Sequence, residues 1–146
     1  MEIKFNPIGI IHTPFKDDTP FSDFENAEGE FFIELDKKYE DGLYLLDKFK
    51  YLYILFHIDR PRKKPHLRVT PPRGDGREVG LFATRSPHRF NSIGQTIAKI
   101  KKIEKNIIYT SGLDILDNTP LIDIKPYVRD FDMKEDSNTG WIKFDK

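Results

Sequence analysis

The sequence predicts a mainly β, single-domain fold, built as a barrel or a sandwich with few short helices. Six short segments are rich in β-branched and aromatic residues, and each is bounded by Gly, Pro, Asp or Asn, which is typical of strands and turns. Helical windows are few along the same chain. The 146 residues are the length of one ordinary domain, which can bury a hydrophobic core without disulfides.

The predicted strands are Ile8 to Ile11, Glu30 to Leu35, Tyr51 to Ile58, Leu67 to Val69, Val79 to Ala83 and Ile107 to Thr110. The third of these is almost continuously apolar, which indicates a strand covered on both faces. Leu43, Leu46 and Phe49 stand at helical spacing, so residues 39–49 are predicted as a short helix or helical turn.

Residues 93–105 fit two secondary structures. Four isoleucines have helical spacing, whereas Ile93, Gln95 and Ile97 fit the alternation of a strand. We predict a long, bent strand because the segment is rich in β-branched residues. The last 18 residues, 129–146, are predicted as a polar tail that is held by docking of Trp141 onto the β domain of residues 1–128.

The composition excludes several classes of protein. Lys plus Arg equal Asp plus Glu at 24 each, so no overall charge attracts the chain to nucleic acid or membrane. The lack of cysteine excludes disulfides, thiolate catalysis and a zinc–thiolate site. The first ten residues lack the apolar core of a signal peptide or membrane span, so we expect a soluble, cytoplasmic protein without membrane contact.

Familiar catalytic motifs are also absent. The sequence has no Gly-rich dinucleotide fingerprint, P-loop, paired-His helix motif or Gly-x-Ser-x-Gly elbow. The four histidines have no metal-ligand spacing, so we predict no catalytic metal.

The loop TRSPHRFNSIG, residues 84–94, carries Arg85, His88, Arg89 and Asn91 where a strand should end. Arginine offers a planar fork of donors and the other side chains offer single directed hydrogen bonds, which suit carboxylate, ribose or phosphate oxygens of a ligand. The alternative is an exposed, solvated basic turn. We interpret the loop as a binding element, with the last three of these residues as candidate substrate contacts.

The segment SGLDILDNTPLIDIKPY, residues 111–127, is predicted as a strand, a turn and a second strand. Asp117 begins a strong turn signal, and the turn alone explains its side chain. Asp114 lies in an apolar string and needs a partner such as an arginine or a ligand hydroxyl. Asp123 and Lys125 would share one face of an extended strand, where a plain ion pair explains them.

The densest basic region lies at residues 60–76. Arg68 and Arg73 flank a stiff Pro-Pro pair in RVTPPRGDG, and further basic residues stand upstream at Arg60, Arg62, Lys63 and Lys64. A basic patch beside a polar pocket suits the phosphates of an RNA substrate. The alternative is a solvated charged loop.

These motifs together resemble the TrmO family, also called TsaA-like or YaeB-like proteins, of S-adenosylmethionine-dependent tRNA methyltransferases. The matching segments are PIGIIHTPF at 7–15, EGEFFIEL at 28–35, RVTPPR at 68–73, GLFATRSPHRFNSIG at 80–94 and SGLDILDNTPLIDIKPYV at 111–128. They follow in family order, and the last two are highly specific.

The resemblance implies a compact β-barrel methyltransferase without a Rossmann fold, which works as a homodimer with its cofactor near the subunit interface. It implies methyl transfer to the exocyclic amine of threonylcarbamoyl-adenosine next to the tRNA anticodon. The implied cofactor-binding residues are Phe21, Ser22, Asp59, Arg60, Arg85, Ser86, Gln95, Thr96, Leu116, Asp117, Asn118 and Thr119. Asp114 is a further candidate for cofactor binding, as one half of a pair with Arg85 that orders the site.

The chain departs from the family pattern in four places. The glutamine usual after the early-loop proline is missing at residues 21–23, and Asp59 stands where the family has histidine, which adds negative charge near a cationic cofactor. Phe90 and Ser92 replace two prolines of the family loop. Asn118 replaces a glycine, a mild change because asparagine tolerates left-handed backbone.

Methyl transfer from a sulfonium needs in-line positioning and a dehydrated site more than a strong base. The amine becomes acidic as it is alkylated, so a nearby carboxylate can accept its proton late, and Asp117 is the candidate for that role. Two rival functions remain. The chain could bind S-adenosylmethionine without transfer, as the departures at Asp59 and in the early loop suggest, or it could methylate a small molecule or another tRNA position.

Overall fold

Six antiparallel strands close into a barrel in the computed structural model, which describes residues 1–20, 23–60 and 63–144. The eight strands are β1 (Gly9–His12), β2 (Phe32–Leu35), β3 (Tyr51–His57), β4 (Arg68–Val69), β5 (Val79–Gly80), β6 (Ile93–Glu104), β7 (Ile107–Thr110) and β8 (Thr119–Pro126). Around the barrel the order is β1-β2-β7-β6-β3-β8, while β4 and β5 form a separate pair.

Helices are short in the described part of the chain. The 3-10 helices are Phe24–Asn26, Lys37–Leu43, Leu46–Lys48, Pro72–Gly74 and Leu81–Ala83, and the α-helix α1 is Arg129–Asp132. None of these described helices has the length and apolarity needed to cross a bilayer.

The predicted barrel is confirmed, and each of the six predicted segments contains an observed strand, although β4 and β5 lie outside the barrel. The predicted long strand is observed over residues 93–104. Three details of the prediction are wrong. Residues 81–83 form a 3-10 helix and not a strand, and residues 111–118 form a loop. Strand β3 is not fully covered on its outward face, where Tyr51 is 43% exposed. The apolar run of β3 arises because its outward residues are largely aromatic or aliphatic as well.

The barrel interior is filled by aliphatic side chains that alternate with outward residues along each strand. The residues with no exposed surface are Ile11, Ile33, Leu52, Ile54, Ile108, Leu113 and Leu121. Each such side chain contributes about 1.5–3 kcal/mol relative to an exposed one. The loop residue Leu113 belongs to this core, so the 111–118 loop is anchored by burial although it has no strand pairing.

Strand β6 is longer than its pairing with either neighbour. Its residues 93–99 pair with β3, whereas β7 pairs only with residues 100–104, across an irregularity between Ile100 and Lys102. Ser111, which follows β7, makes the next contact with β6. Its N–H donates to the Lys99 carbonyl at 3.0 Å, and its Oγ accepts from the Lys99 N–H at 3.0 Å. Beyond Ser111 the chain leaves β6, so residues 93–98 pair with β3 on one edge and with no strand on the other in the described structure.

The polar tail contacts the segment between β4 and β6. The Trp141 indole N–H donates to the Ala83 carbonyl at 2.8 Å, and the Lys143 N–H donates to the Arg73 carbonyl at 3.1 Å. Lys143 Nζ also lies 2.8 Å from Asp75 Oδ2. The tail thus holds the turn at residues 72–75 and the short helix before the 84–94 loop.

Gly112 is predicted to be essential for stability. A Cβ there would lie 1.8 Å from the Phe24 carbonyl oxygen, so Gly112→Ala forces the two backbones apart and should lower the free energy of unfolding by about 1–3 kcal/mol. Urea denaturation measures the change. Gly42→Ala is the control, since a Cβ at Gly42 meets nothing within 4 Å. Equal stability of the two variants would contradict the close approach at Gly112.

Candidate functional site

A cavity of about 930 Å³ lies at the open edge of β6, within the range of small-molecule sites. Its walls come from the segment after β1, the end of β3, the 84–89 loop, the start of β6 and the 114–119 loop. The lining residues are Asp17, Asp18, Thr19, Phe24, Phe56, Ile58, Asp59, Arg60, Thr84, Arg85, Ser86, Pro87, His88, Arg89, Ile93, Gly94, Gln95, Thr96, Asp114, Ile115, Leu116 and Thr119.

The pairing of β3 with β6 brings two of these walls together. Phe56 pairs with Gly94, and the Ile58 N–H donates to the Ser92 carbonyl at 2.8 Å just beyond the strands. A Cβ at Gly94 would lie 2.3 Å from the Phe56 ring, so glycine lets this ring cross β6 and form part of the cavity wall. The 84–92 loop consequently runs beside residues 58–60.

Hydrogen bonds within the 84–89 loop fix its shape. Thr84 Oγ1 donates to the Leu81 carbonyl at 2.7 Å and accepts from the Ser86 N–H at 3.2 Å. Arg89 Nη1 donates to the carbonyls of Thr84 and Ser86 at 2.9 and 3.2 Å. Arg89 therefore holds the loop, whereas the exposed Arg85 makes no hydrogen bond to other described residues and projects its guanidinium at the cavity.

The loop before β8 is held against the end of β1. Asp117 Oδ1 accepts from the Thr13 N–H at 3.0 Å, and Thr13 Oγ1 donates to the Ile115 carbonyl at 2.7 Å. Asn118 has a φ of 66°, which is the left-handed backbone that its replacement of glycine requires. Asp114, Leu116 and Thr119 line the cavity, whereas Asp117 and Asn118 are not among its lining residues.

Asp59, the residue at the family's histidine position, does not stand as an isolated negative charge. Arg60 Nη1 donates to Asp59 Oδ1 at 2.5 Å, so a positive charge lies directly beside this carboxylate. Arg60 Nη2 also donates to the Asp117 carbonyl. Arg60 therefore ties the end of β3 to the 116–119 turn across one side of the cavity.

Asp114 and Arg85 form the charged pair of the cavity without direct contact. The side chain of Asp114 is exposed within the cavity, yet desolvation by the surrounding walls raises the pKa of its carboxyl above the ordinary value. The hydrogen bond to its own backbone and the positive charge of Arg85 act in the opposite direction. The raised pKa shows that these two interactions do not fully offset the desolvation of the carboxylate. Such perturbed groups are common where a ligand binds.

Other residues expected at the site lie elsewhere. Arg68 pairs with Glu78 at 3.0 Å, and Arg73 Nη1 donates to the Lys143 carbonyl at 3.5 Å; neither lines the cavity. Asn91 lines a neighbouring, second cavity.

The predicted residues Phe21 and Ser22, and Arg62 of the basic region, lie outside the described residues. Asp123 and Lys125 form the expected ion pair at 3.2 Å.

The sequence interpretation missed part of the site. Asp17, Asp18 and Thr19 line the cavity just before the early-loop proline, and Phe24 and Phe56 supply aromatic wall. The paired carboxylates in HTPFKDDTP were a usable signal, whereas the apolar lining has no signature that separates it from core. Within residues 1–20, 23–60 and 63–144, no three His, Cys, Asp or Glu side chains are grouped to hold a metal ion.

The family described as tRNA-methyltransferase O N-terminal domain matches residues 10–133. A probable S-adenosyl-L-methionine-binding protein of Pyrococcus abyssi is 37% identical over 143 residues, which are 97% of this chain and 77% of that protein. The tRNA (adenine(37)-N6)-methyltransferase of Mus musculus is 46% identical over 97 residues, which are 64% of this chain and 22% of that enzyme.

The crystal structure of TrmO from Pseudomonas aeruginosa superposes with a TM-score of 0.79 at 28% identity, over 96% of this chain and 62% of the other. This chain therefore spans most of the archaeal relative but less than two thirds of the mouse enzyme and of the solved structure. The match covers the barrel and both loops of the cavity, and the chain belongs to the TrmO N-terminal domain family.

Proposed function

We propose that the chain is an S-adenosylmethionine-dependent methyltransferase that acts on the exocyclic N6 amine of threonylcarbamoyl-adenosine beside the tRNA anticodon. The observation that carries the proposal is the cavity between Arg85 and Asp114, whose lining includes residues of both the 80–94 and the 111–128 segments. The mouse relative's name supports the acceptor, and the archaeal relative's name supports the cofactor.

The residues of the cavity fit S-adenosylmethionine. This cofactor has a carboxylate, two cationic groups and an adenine, and when bound it supplies an electrophilic methyl group. The guanidinium of Arg85 suits the carboxylate, and the carboxylate of Asp114 suits a cationic group. Phe24, Phe56 and Ile58 offer apolar surface for the adenine. A cavity of about 930 Å³ leaves room for an acceptor base beside the cofactor.

The chain's own contribution to catalysis is positioning, exclusion of water and removal of one proton. The fixed 84–89 loop and the anchored 114–119 loop hold their side chains in place before a ligand arrives, which lowers the cost of a productive geometry. Asp114 replaces Asp117 as the proton acceptor, because the Asp117 carboxylate is engaged by the Thr13 N–H. Desolvation raises the pKa of the Asp114 carboxyl, which favours its uptake of a proton.

Contacts with tRNA phosphates extend along the outer face of β6. Lys99 and Lys101 are exposed there, beyond the cavity residue Gln95, and Lys48 and Lys50 are exposed near the start of β3. No ion pair engages these four lysines in the described part of the chain, whereas Arg68 is neutralised by Glu78. The exposed Ile93 and Ile97 at the cavity end of β6 support a homodimer contact there, which leaves the lysines farther along the strand for the RNA. A tRNA-modifying homodimer would work in the cytoplasm.

A second function has one observation in its favour. The Pyrococcus relative, whose name states only S-adenosylmethionine binding, is matched over more of its length than the mouse enzyme. The chain would then bind the cofactor without transfer, or transfer the methyl group to a small molecule.

Methyl transfer is tested with labelled S-adenosylmethionine and bulk tRNA, with and without prior threonylcarbamoylation. The expected result is label in the threonylcarbamoylated pool alone. Label in neither pool, together with calorimetric binding of the cofactor, would favour the second function.

Arg85→Ala is expected to weaken binding of S-adenosylmethionine about 10- to 150-fold, because it removes charge-assisted hydrogen bonds to the cofactor carboxylate. Calorimetry measures the affinity. Arg68→Ala removes an equal charge outside the cavity and should bind normally. Unchanged affinity in Arg85→Ala, with its melting temperature preserved, would reject the assignment.

Asp114→Asn is expected to bind the cofactor more weakly yet to unfold less readily at pH 7. The pKa of Asp114 is raised on folding, so the folded chain holds the proton more tightly than the unfolded chain does. The free energy of unfolding therefore falls as pH rises from the pKa of the unfolded carboxyl through that of the folded one. The asparagine amide does not titrate, so the variant does not lose this stability at pH 7. Its gain in free energy of unfolding over the wild type should vanish near pH 3, where the carboxyl is protonated in both states. Denaturation at several pH values checks it. Asp123→Asn, which loses an exposed ion pair, should show no gain.

A further inference from the structure

A second cavity of about 470 Å³ adjoins the first, and Ile93 lines both. The 84–92 loop forms a wall of each, since Arg89 faces the first cavity and Phe90, Asn91 and Ser92 face the second. The other lining residues are Ile3, Phe5, Pro7, His57 and Ile122. We refer to this second cavity as the side groove.

The side groove combines exposed aromatic rings with neutral hydrogen-bonding groups. Phe90 is 56% exposed and Phe5 is 60% exposed, so both rings present apolar surface to solvent. The side chains of Asn91 and His57 make no hydrogen bond to other described residues. Among the described lining residues none is Asp, Glu, Lys or Arg, so the groove suits a flat, uncharged group that has both a face and a hydrogen-bonding edge.

The acceptor itself explains why such a group should lie there. An adenosine that enters the first cavity must leave the base stack, and its neighbour in the RNA then loses a stacking partner. An aromatic surface beside the cavity replaces that partner, and unpaired amide or imidazole groups bond to the exposed base edge.

From these observations we infer that the side groove binds the nucleobase next to the methylated adenosine. The inference rests on the proposed tRNA substrate and adds a second contact to it. Phe90 stacks on the base, and Asn91 bonds to its edge. Phe90 and Ser92 are two of this chain's departures from the family loop, where prolines are usual. The aromatic ring of the groove is therefore a feature of this chain and not of the usual family loop.

Binding is measured with a fluorescent anticodon stem-loop RNA in the presence of S-adenosylhomocysteine, so that no transfer occurs. Phe90→Ala should weaken binding roughly 5- to 150-fold, the range found when one stacked base loses its aromatic partner. Phe90→Tyr should restore affinity near that of the wild type. Phe131→Ala is the matched control, because Phe131 is 75% exposed and lies outside both cavities. Cofactor affinity should be unchanged in all three variants, which excludes misfolding.

A modified RNA makes the test specific for the neighbouring base. An abasic nucleotide on one side of the acceptor adenosine should cause the same loss as Phe90→Ala, and the two changes together should cost no more than either alone. Abasic RNAs on the 5′ and 3′ sides are both tested. If the effect of Phe90→Ala simply adds to the effect of the abasic nucleotide on both the 5′ and the 3′ side, the inference is overturned.

The remaining outcomes separate the inference from the proposed function. Normal RNA binding by Phe90→Ala, together with transfer to threonylcarbamoylated tRNA by the wild type, would overturn the inference alone. RNA binding that depends on Phe90, without transfer, would overturn the function alone. Loss of a homodimer in Phe90→Ala by sedimentation, with RNA affinity kept, would show that a second copy of the chain fills the groove.

Discussion

The mismatch in length between β6 and its neighbours is the constraint on which the site depends. Strand pairing closes the barrel, but the edge of β6 that faces β7 is paired only from Ile100 onward, and the two hydrogen bonds of Ser111 extend this contact no farther than Lys99. The edge beyond that point must be covered by other parts of the chain. The 112–118 loop covers it in part, with Leu113 buried in the core as its anchor, and the space that remains is the cavity.

Two kinds of charge surround that space. The arginines Arg60 and Arg89 and the carboxylate of Asp117 are engaged by the protein itself, and they fix the positions of the cavity walls. Arg85 and Asp114 face the cavity with their charges incompletely compensated, at the cost of a raised pKa for the carboxyl.

Sequence patterns predicted most of the fold for local physical reasons. The barrel strands follow from β-branched segments between turn residues, and the left-handed Asn118 follows from the conformational tolerance of asparagine. The site was predicted less completely. Asp117 and Asp114 look alike in sequence, but their surroundings differ, because the Thr13 N–H, 104 residues away along the chain, donates to Asp117 whereas Asp114 lines the cavity. Contacts across such a separation depend on the closed barrel and have no local signal.

The electrostatic prediction for Asp59 shows the same limit. The sequence predicts an added negative charge at Asp59, and the ion pair of this carboxylate with the adjacent Arg60 has no signal in the residue pattern. The direction of a neighbouring side chain is set by the backbone at the end of β3, which a residue pattern does not describe.

The docking of the tail has an optical consequence. The chain contains a single tryptophan, and the indole of Trp141 bonds to Ala83, one residue before the loop that begins at Thr84. All tryptophan emission of the protein therefore originates beside the loop that carries Arg85. The molecule holds a natural fluorophore at the base of its own binding loop, with no competing indole elsewhere in the chain.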